Sequence, residues 1–395
     1  MLAANRLEEA ESLLRHAIED PKSSFEFRLC YLEVLAKQNK CEMALKFIEC
    51  YPDPLCNEIL FNLLDKLLRD RCHYAVDFIL GVKCSEKFQK NIFTFWRAAS
   101  LYCREDCARS IDLFQVTAVE GAVAWNSGNR SPYIQGYMVP GITLPKVQEI
   151  RRAEQELDES PNLEWIFSSL KQQDHPPITV ISGNDRYVLR FVDQALEGLH
   201  ASGFPPVCHI HLIGGSPAVY ECIQALHVRF PGSIVGITVE PVPAHNALTY
   251  FASARFLIAR SLLQHYQADL IITDIDSAFT PAVTGLKGVM ESFDLGFYRQ
   301  SPRSLPWIDC LCGLVYVRRT NGAHRFLRGF GSILRQKIND GAPWMVDQGC
   351  LYSSFVYFSE VGVQICDFGE KTGHPINHVL ASLCTYEEKK AIRGG

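Results

Sequence analysis

From residue 176 onward, short apolar runs alternate with longer amphipathic stretches, and this alternation constrains the fold more than any other feature of the sequence. Apolar runs of this length predict buried strands, and the stretches between the first of them are long enough for helices. The predicted strands span residues 178–182, 207–213, 234–239, 270–273, 294–298, 310–317 and 361–365, and the predicted helices span 187–200, 218–230 and 248–266. Buried strands that alternate with helices indicate an α/β fold with a largely parallel sheet covered on both faces.

Two carboxylates follow the strand at 270–273 directly, in the run Asp274-Ile275-Asp276. In an open α/β sheet, ligands bind beyond the carboxyl ends of the strands. Residues i and i+2 of an extended backbone project to one side, so Asp274 and Asp276 are expected to share one hard cation, directly or through its waters. Such a cation, Mg²⁺ or Mn²⁺, would bridge to the phosphates of a nucleotide. A purely structural role for both carboxylates is the alternative.

Most of the segment before residue 116 is predicted to be helical, and four parts of it align on a small residue. These residues are Ala10, Ala44, Ala75 and Ser110, and each is followed one turn later by an apolar pair. The spacing resembles the ~34-residue period of tetratricopeptide repeats, which stack pairs of helices into a concave array. The first segment would be the second helix of its unit, so we expect an earlier helix to be missing. A helical bundle without repeats is the alternative.

The pattern changes after residue 120, where turn-forming residues gather at Asn126–Asn129 and Val139–Gly141. A charged helix is predicted at 146–157, followed by a short helix after Ser160-Pro161. The sequence therefore predicts three parts. An all-α helical-repeat domain spans residues 1–120, a connector spans 121–175, and the α/β domain spans 176–395.

Charge and composition exclude several classes of partner. A formal net charge of −5 gives no overall electrostatic footprint for nucleic acid. No apolar stretch approaches the ~20 residues that cross a bilayer, and the acidic residues of Met1–Leu14 do not fit a signal peptide. We therefore expect a cytoplasmic protein. The 15 cysteines include no pair of C-x-x-C motifs, so reduced thiols are expected rather than a structural zinc site.

Residues 176–380 resemble the nucleotide-diphospho-sugar transferases of the GT-A fold, which is Rossmann-like with a mostly parallel sheet. The resemblance rests on Asp274-Ile275-Asp276 after its apolar strand and on Arg255-Phe256 in the helix before it. It implies that Asp276 is a direct metal ligand and that Asp274 contacts the ribose or the metal. Arg255 would lie near the nucleotide or hold the D-x-D loop, and a surface or helix-capping role is its alternative.

The same resemblance implies roles for residues closer to the C-terminus. Asp347-Gln348 is similar to a pair that contacts the donor sugar in retaining families, while inverting families can use the corresponding carboxylate as a base. Asp347 is therefore the candidate catalytic residue, with a helix N-cap as its alternative role. His374 is the candidate third metal ligand, with His378 as its competitor, and Lys371 is the candidate contact to the diphosphate. The usual His-x-x-Gly-x-x-Lys order is absent here.

Asn184 and Asp185 follow the strand at 178–182 and are expected to lie against the nucleotide base. Their side chains could hydrogen-bond the edge of a uracil or a guanine. For Asp185, capping the helix that follows is an equal alternative.

Together these features predict a metal-dependent, hexosyltransferase-like glycosyltransferase. It would use Mn²⁺ or Mg²⁺ and a nucleoside-diphosphate sugar, and it would transfer the sugar to an acceptor hydroxyl, with a weak preference for retention. The acceptor would be a protein or a glycan presented by the helical repeats, which are also a candidate surface for a protein partner. The rival hypothesis is a non-catalytic helical-repeat scaffold with an inactive transferase domain.

Two other enzyme classes fit the sequence less well. Phosphatases of the haloacid dehalogenase type open their domain with the D-x-D motif, whereas here three strand–helix units precede it. Nucleotidyltransferases of a similar fold usually carry a glycine-rich loop with a basic residue after the first strand. The run Ser182-Gly183-Asn184-Asp185 has no basic residue.

Overall fold

The computed structural model describes the chain in two compact units. One unit comprises Met1–Leu144 with Pro302–Pro306, and the other comprises Pro145–Ser301 with Trp307–Gly395. The described residues are 2–19, 24–51, 53–81, 90–104, 106–107, 109–116, 144–155, 163–169, 176–245, 247–300, 305–342, 345–385 and 388. The turns predicted at Asn126–Asn129 and Val139–Gly141, and the Ser160-Pro161 pair, lie outside these residues.

The described part of the N-terminal unit is built from helices. They are α1 (Leu2–Glu19), α2 (Phe25–Lys37), α3 (Cys41–Glu49), α4 (Asp53–Arg69), α5 (His73–Gly81) and α6 (Lys90–Cys103), with further helical residues at 109–116. Helices α2, α3 and α4 each pack against both the next helix and the one after it, and α5 packs against α6. Of the four aligned small residues, Ala44, Ala75 and Ser110 are buried and Ala10 is half-buried. The likeness to tetratricopeptide repeats stays a prediction.

The C-terminal unit is built around an eight-stranded sheet with the order β1-β4-β3-β2-β5-β8-β7-β9. Its strands are β1 (Glu164–Ser168), β2 (Ile178–Asn184), β3 (Cys208–Ile213), β4 (Ile234–Glu240), β5 (Leu270–Thr273), β7 (Leu295–Arg299), β8 (Cys310–Val317) and β9 (Ile365–Asp367). Strand β1 is antiparallel to β4, and β8 is antiparallel to both β5 and β7, while the other pairs are parallel. The predicted α/β fold with a mostly parallel sheet is confirmed.

The order of the strands fixes where a ligand can enter. From β2 the chain adds β3 and then β4 on one side, and it returns to place β5 on the opposite side of β2. The direction of strand addition therefore reverses between β2 and β5. In doubly wound sheets, the crevice outside the carboxyl ends of the strands at such a switch point is where ligands bind.

Helices cover both faces of this sheet. They are α7 (Val147–Gln155), α8 (Asp185–Ala201), α9 (Pro217–Arg229), α10 (Ala247–Tyr266), α11 (Asn321–Asn339) and α12 (Val346–Glu360). Side chains of α8 and α9 form one buried core with Ile210 and Leu212 of β3. Helix α10 packs on β2 and β5, and α11 packs against α7, α10 and α12. Short helices span Leu286–Val289, Pro306–Asp309 and Phe368–Thr372.

A second, two-stranded sheet lies beside the D-x-D motif. It pairs β6 (Ser277–Phe279) antiparallel with β10 (Leu380–Ser382). The backbone of Thr280 continues the pairing, since its N–H donates to the carbonyl of Val379. A segment more than a hundred residues further along the chain therefore borders the motif.

Two sequence expectations are wrong in this unit. A short helix was expected after Ser160-Pro161, but residues 164–168 form the edge strand β1, because they pair with β4. The strand predicted at 361–365 is displaced to Ile365–Asp367, where it pairs with β7. The described cysteines all carry free thiols.

Within the described ranges, no helix combines the length and the apolar character that crossing a bilayer would require.

Candidate active site

A cleft of about 280 Å³ lies at the switch point between β2 and β5. Four segments line it, and each reaches the end of the sheet at which the parallel strands β2 and β5 finish. The lining residues are Ser182, Gly183 and Asn184 from β2, Arg186 and Tyr187 from α8, Leu248, Phe251, Ala252 and Arg255 from α10, and Asp274, Ile275 and Asp276 after β5. The cleft therefore occupies the position where a doubly wound sheet binds its ligand.

The junction between β2 and α8 forms one wall. The Oδ1 atom of Asn184 accepts the N–H of Tyr187 at 3.1 Å, so Asn184 is the N-cap of α8. A Cβ atom on Gly183 would lie 3.2 Å from Cβ of Tyr187 and 3.4 Å from Cδ1 of Ile275. Glycine at 183 thus allows β2, α8 and the D-x-D loop to approach closely.

The D-x-D motif is a turn rather than an extended segment. Ser277 donates its N–H to the carbonyl of Asp274 at 3.2 Å, which reverses the backbone before β6 begins. The expectation that an extended backbone places the two carboxylates on one side is therefore wrong. Both aspartates nevertheless line the same cleft.

Arg255 is held in a nearly buried position by several acceptors. Its side chain is 6% exposed and pairs with Oδ1 of Asp274 at 2.8 Å. The same guanidinium donates to the carbonyl oxygen of Cys312, on β8, at 3.1 Å. Arg255 therefore holds the D-x-D loop against β8, which agrees with one of its two predicted roles and excludes a surface arginine.

Asp347 lies close to this ion pair. It belongs to the first turn of α12, is 7% exposed, and accepts the N–H of Gln348 with its own carboxylate at 3.0 Å. Burial raises the pKa of Asp347 to about 6, Arg255 partly offsets this rise, and the charge of Asp274 adds to it. Met345, in a left-handed conformation with φ of 73°, occupies the N-cap position. The alternative of an N-cap role for Asp347 is therefore wrong.

The site offers two protein carboxylates to a cation. Asp276 is 5% exposed, and its backbone carbonyl accepts the N–H of Leu383 at 2.9 Å. Among the described residues, no group of three or more His, Cys, Asp or Glu side chains is arranged to hold a metal. Two carboxylates fit Mg²⁺ or Mn²⁺, because such ions complete their shell with water and substrate phosphates.

Besides Asp347, three predicted site residues lie away from the cleft lining. Asp185 accepts the N–H of Ser216 at 3.0 Å and so anchors the turn after β3. Lys371 is exposed, with its Nζ 5.8 Å from the ring centre of Phe293. His374 stacks on His378 with ring centres 4.1 Å apart, and both line a separate hollow. The structure does not bring His374 together with Asp274 and Asp276, and the ligand roles of these residues stay predictions.

Sequence reasoning missed the aromatic and basic residues of the cleft. Arg186 and Tyr187 belong to the first turn of α8, and Leu248 and Phe251 belong to the first turns of α10. Both helices begin at the carboxyl end of a parallel strand. Their first turns therefore lie at the ligand edge of the sheet, and this positional signal was present in the sequence.

No family model and no curated protein matches the sequence. Several solved structures are similar to it. The bifunctional glycosyltransferase WbbM, in its apo form, is 13% identical with a TM-score of 0.34, and the match covers 51% of this chain and 40% of that chain. The glycosyltransferase GlyE of Streptococcus pneumoniae TIGR4 is 12% identical with a TM-score of 0.35, covering 54% and 55%. The galactosyltransferase LgtC, in complex with donor and acceptor sugar analogs, is 16% identical with a TM-score of 0.32, covering 48% and 73%.

These structural neighbours are glycosyltransferases. The chain spans less than two thirds of the length of WbbM and of GlyE.

Proposed function

We propose that the protein is a metal-dependent glycosyltransferase that binds a nucleoside-diphosphate sugar in the cleft between β2 and β5. One observation carries this proposal: two aspartates and a nearly buried arginine line a single cleft at the switch point of a doubly wound sheet. Carboxylates that bind a hard cation and a fixed guanidinium together suit a diphosphate, which carries several negative charges.

The nucleoside would occupy the wall formed by β2, α8 and α10. Tyr187 and Phe251 offer aromatic surface for the base, and Arg186 adds positive charge at the first turn of α8. Because Asn184 uses Oδ1 to cap α8, its amide group remains to hydrogen-bond a base edge.

Asp274 and Asp276 would hold the Mn²⁺ or Mg²⁺ ion beside the diphosphate. When bound, the ion supplies Lewis-acid stabilisation of the charge that grows on the leaving diphosphate. Arg255 keeps the loop in place through Asp274, so the carboxylates need no rearrangement when the substrate enters. Closely packed walls also exclude water, which would otherwise hydrolyse the donor.

We assign Asp347 to the sugar end of the substrate. It lies beside Asp274 and Arg255 but does not line the cleft itself. The transferred sugar would extend from the cleft towards it. In the reaction, the bond from the anomeric carbon to the diphosphate breaks and a bond to the acceptor oxygen forms. A carboxyl group with a pKa of about 6 suits either contact with the sugar or acceptance of the hydroxyl proton. The acceptor would be a protein or a glycan, presented by the N-terminal helices.

Calorimetric titration with nucleotide sugars tests the proposal. UDP- and GDP-sugars would be titrated with Mn²⁺, with Mg²⁺ and with a chelator, on the parent protein and on Asp276→Asn. We expect one donor class to bind only with metal, and the substitution to weaken binding by roughly tenfold or more, because it removes a charged ligand. Asp193→Asn is the matched control, since Asp193 lies half-exposed on α8 and pairs with Arg229 at 2.5 Å.

Two results would contradict the proposal. One is the absence of binding by every donor under all metal conditions, from protein shown by circular dichroism to be folded. The other is an equal affinity for Asp276→Asn and the control. The first result would favour the helical-repeat scaffold with an inactive transferase domain.

A further inference from the structure

A row of buried polar side chains lies between α10 and the strands β3 and β4. His209 and His211 alternate along β3 with the apolar Ile210 and Leu212, so both imidazoles project to the face opposite the apolar core. His211 is in register with Thr238 of β4. His209, His211 and Thr238 are completely buried. Burying a polar group costs free energy unless the group is hydrogen-bonded, so each of these three side chains is expected to have hydrogen-bond partners.

These groups form one continuous series of hydrogen bonds, which we call the polar seam. Tyr266 contacts Nδ1 of His209 at 2.7 Å, and Nε2 of His209 lies 2.9 Å from Oγ1 of Thr238. The same Oγ1 lies 2.9 Å from Nδ1 of His211, whose Nε2 lies 3.0 Å from Oε1 of Glu240. The hydroxyl of Tyr250 in turn donates to Glu240.

Both ends of the polar seam belong to the same helix. Tyr250 lies in the first turn of α10 and Tyr266 is its last residue. Sixteen residues of helix span about 24 Å at 1.5 Å per residue, so the seam runs beneath almost the whole of α10. It therefore ties the helix to the sheet at two separated points.

Gly236 makes room for one of these attachments. It is in register with His209 on the neighbouring strand. A Cβ atom at this position would lie 2.9 Å from Nδ1 of His209 and would overlap the hydroxyl of Tyr266. Trp165 of β1 contacts both rings edge-on, with ring centres 5.6 Å and 5.9 Å away. The strands around the seam are thus shaped to admit the tyrosine.

The carboxylate of Glu240, at one end of the polar seam, fixes the direction in which the hydrogen bonds are donated. As a carboxylate, Glu240 can only accept, so Nε2 of His211 donates to it. Thr238 has one hydroxyl hydrogen, so in the series that ends on Glu240 it donates to Nδ1 of His211 and its oxygen accepts from Nε2 of His209. Burial, with His211 and His265 nearby, holds the pKa of His209 well below its usual value, so this ring has one N–H. Its Nδ1 accepts from Tyr266, and every bond has one hydrogen.

We propose that His209, Thr238 and His211 are positioning residues, whose one-directional hydrogen-bond series fixes α10 on the sheet and thereby shapes the wall of the cleft. Leu248, Phe251 and Arg255 line the cleft from the same helix, within five residues of Tyr250. A shift of this end would move Arg255 relative to Asp274, its partner at 2.8 Å. The seam thus controls ligand affinity without touching the ligand. The effect on nucleotide-sugar binding rests on the proposed function, but the positioning of α10 does not.

A matched pair of substitutions in the full chain tests this role. Thr238→Val keeps the shape of the side chain but removes the hydroxyl that links the two imidazoles. Thr179→Val makes the same change in β2 of the same sheet, where the hydroxyl is buried without a hydrogen-bond partner in the described part of the chain. Amide hydrogen exchange of residues 247–255 should be about tenfold faster in Thr238→Val, and unchanged in Thr179→Val, because only the first leaves buried imidazole nitrogens unpaired. Thr238→Ser, which restores the hydroxyl, should recover slow exchange.

Nitrogen NMR of labelled histidine adds a readout that packing alone would not move. His209 should be neutral with its proton on Nε2, and Thr238→Val should change the nitrogen signals of both rings. Equal exchange in the two valine variants, or exchange in Thr238→Ser as fast as in Thr238→Val, would overturn the proposal.

A third arm separates this proposal from the proposed function. If the parent protein binds a UDP- or GDP-sugar, Thr238→Val should weaken that binding by roughly five- to tenfold and Thr179→Val should not. Unchanged affinity in Thr238→Val would overturn the link to the cleft. If the parent protein binds none of these sugars, the proposed function fails, while the exchange and NMR results still decide whether the seam positions α10.

Discussion

Asp347 carries a carboxyl group that the fold surrounds with protein, beside a second aspartate and an arginine. Its pKa rises from 3.8 to about 6, chiefly because burial disfavours the charged form. Arg255 reduces the rise but does not cancel it, since the same guanidinium also pairs with Asp274. An ionised carboxylate buried in this way costs stability, and groups of this kind occur preferentially at functional sites.

This cost predicts that Asp347→Asn makes the folded protein more stable, by an amount that depends on pH. Because the folded-state pKa is raised, ionising Asp347 destabilises the folded state as pH rises from about 4 to about 6, and the full penalty is present above that window. At about 1.4 kcal/mol per pKa unit, the asparagine variant should be more stable than the parent by up to roughly 3 kcal/mol at pH 8, and by much less at pH 4. Denaturant titrations across this range measure the difference.

Asp340→Asn is the control, because Asp340 is exposed at the end of α11. A stability difference between Asp347→Asn and the parent that does not vary with pH would contradict this explanation. It would indicate a packing effect of the amide instead.

The strands of the C-terminal unit differ in how accurately the sequence predicts them. Strands β5 and β8 begin and end where they were predicted. Both faces of β5 and of the second half of β8 are buried, and each apolar run has sharp limits. Strand β1 was missed because it is a short edge strand whose residues alternate between exposed and half-buried. Its pairing partner, β4, lies about 70 residues further on.

The candidate site was predictable as a set of residues but not as a geometry. The sequence points to the D-x-D motif and to Arg255, yet the 2.8 Å ion pair between Arg255 and Asp274 depends on how α10 and the loop after β5 pack. The turn at Asp274–Ser277 is set by pairing with β10, near the other end of the sequence. In β3, two histidines interrupt the predicted apolar run. The partners of His209, Thr238 and Tyr266, are 29 and 57 residues away along the chain.

Two helical glycines illustrate how packing between elements controls the site. A Cβ atom on Gly198 of α8 would lie 2.6 Å from Cβ of Ala278, on β6, whereas one on Gly331 of α11 would meet nothing within 4 Å. Gly331→Ala should therefore stabilise the protein by about 0.5–1 kcal/mol, because alanine is the better helix former. Gly198→Ala should destabilise it, since β6 must move away from α8.

Thermal melts of both variants, followed by metal and nucleotide titrations, check this prediction. Because β6 directly follows Asp276, Gly198→Ala should also weaken binding in the cleft, and Gly331→Ala should not. A Gly198→Ala protein as stable as Gly331→Ala would show that the contact with Ala278 relaxes at little cost.

At the scale of the whole molecule, the C-terminal segment completes the surroundings of the D-x-D motif. Val379 and Leu380 are buried in the core that α8 and α9 also form, and the N–H of Leu383 binds the carbonyl of Asp276. Cys384 places its sulfur 4.0 Å from Oδ2 of Asp276. The site therefore depends on residues from both ends of the C-terminal unit.

Truncation distinguishes the role of this C-terminal segment from that of the residues that follow it. A chain ending at His378 loses β10 and two buried aliphatic side chains, each worth about 1.5–3 kcal/mol, so its melting temperature and its affinity in the cleft should both fall. A chain ending at Thr385 loses one described residue, Glu388. Its hydrogen bonds with Thr385 and its 3.9 Å contact with Arg190 are exposed and contribute little. This second chain should behave like the parent, and similar losses in both would contradict the assignment.

The margins of the large sheet bear on how the protein behaves at high concentration. An open edge strand can recruit a strand from another molecule and so start aggregation, and natural sheets reduce this risk with short or irregular edges. Here one edge is the three-residue β9, and the other is β1, whose pairing is interrupted by a bulge between Trp165 and Phe167. In the part of the sheet that the structure describes, neither margin offers a flat, regular template for strand addition. The parallel strands that form the cleft are therefore shielded from intermolecular pairing by elements that take no part in the proposed chemistry.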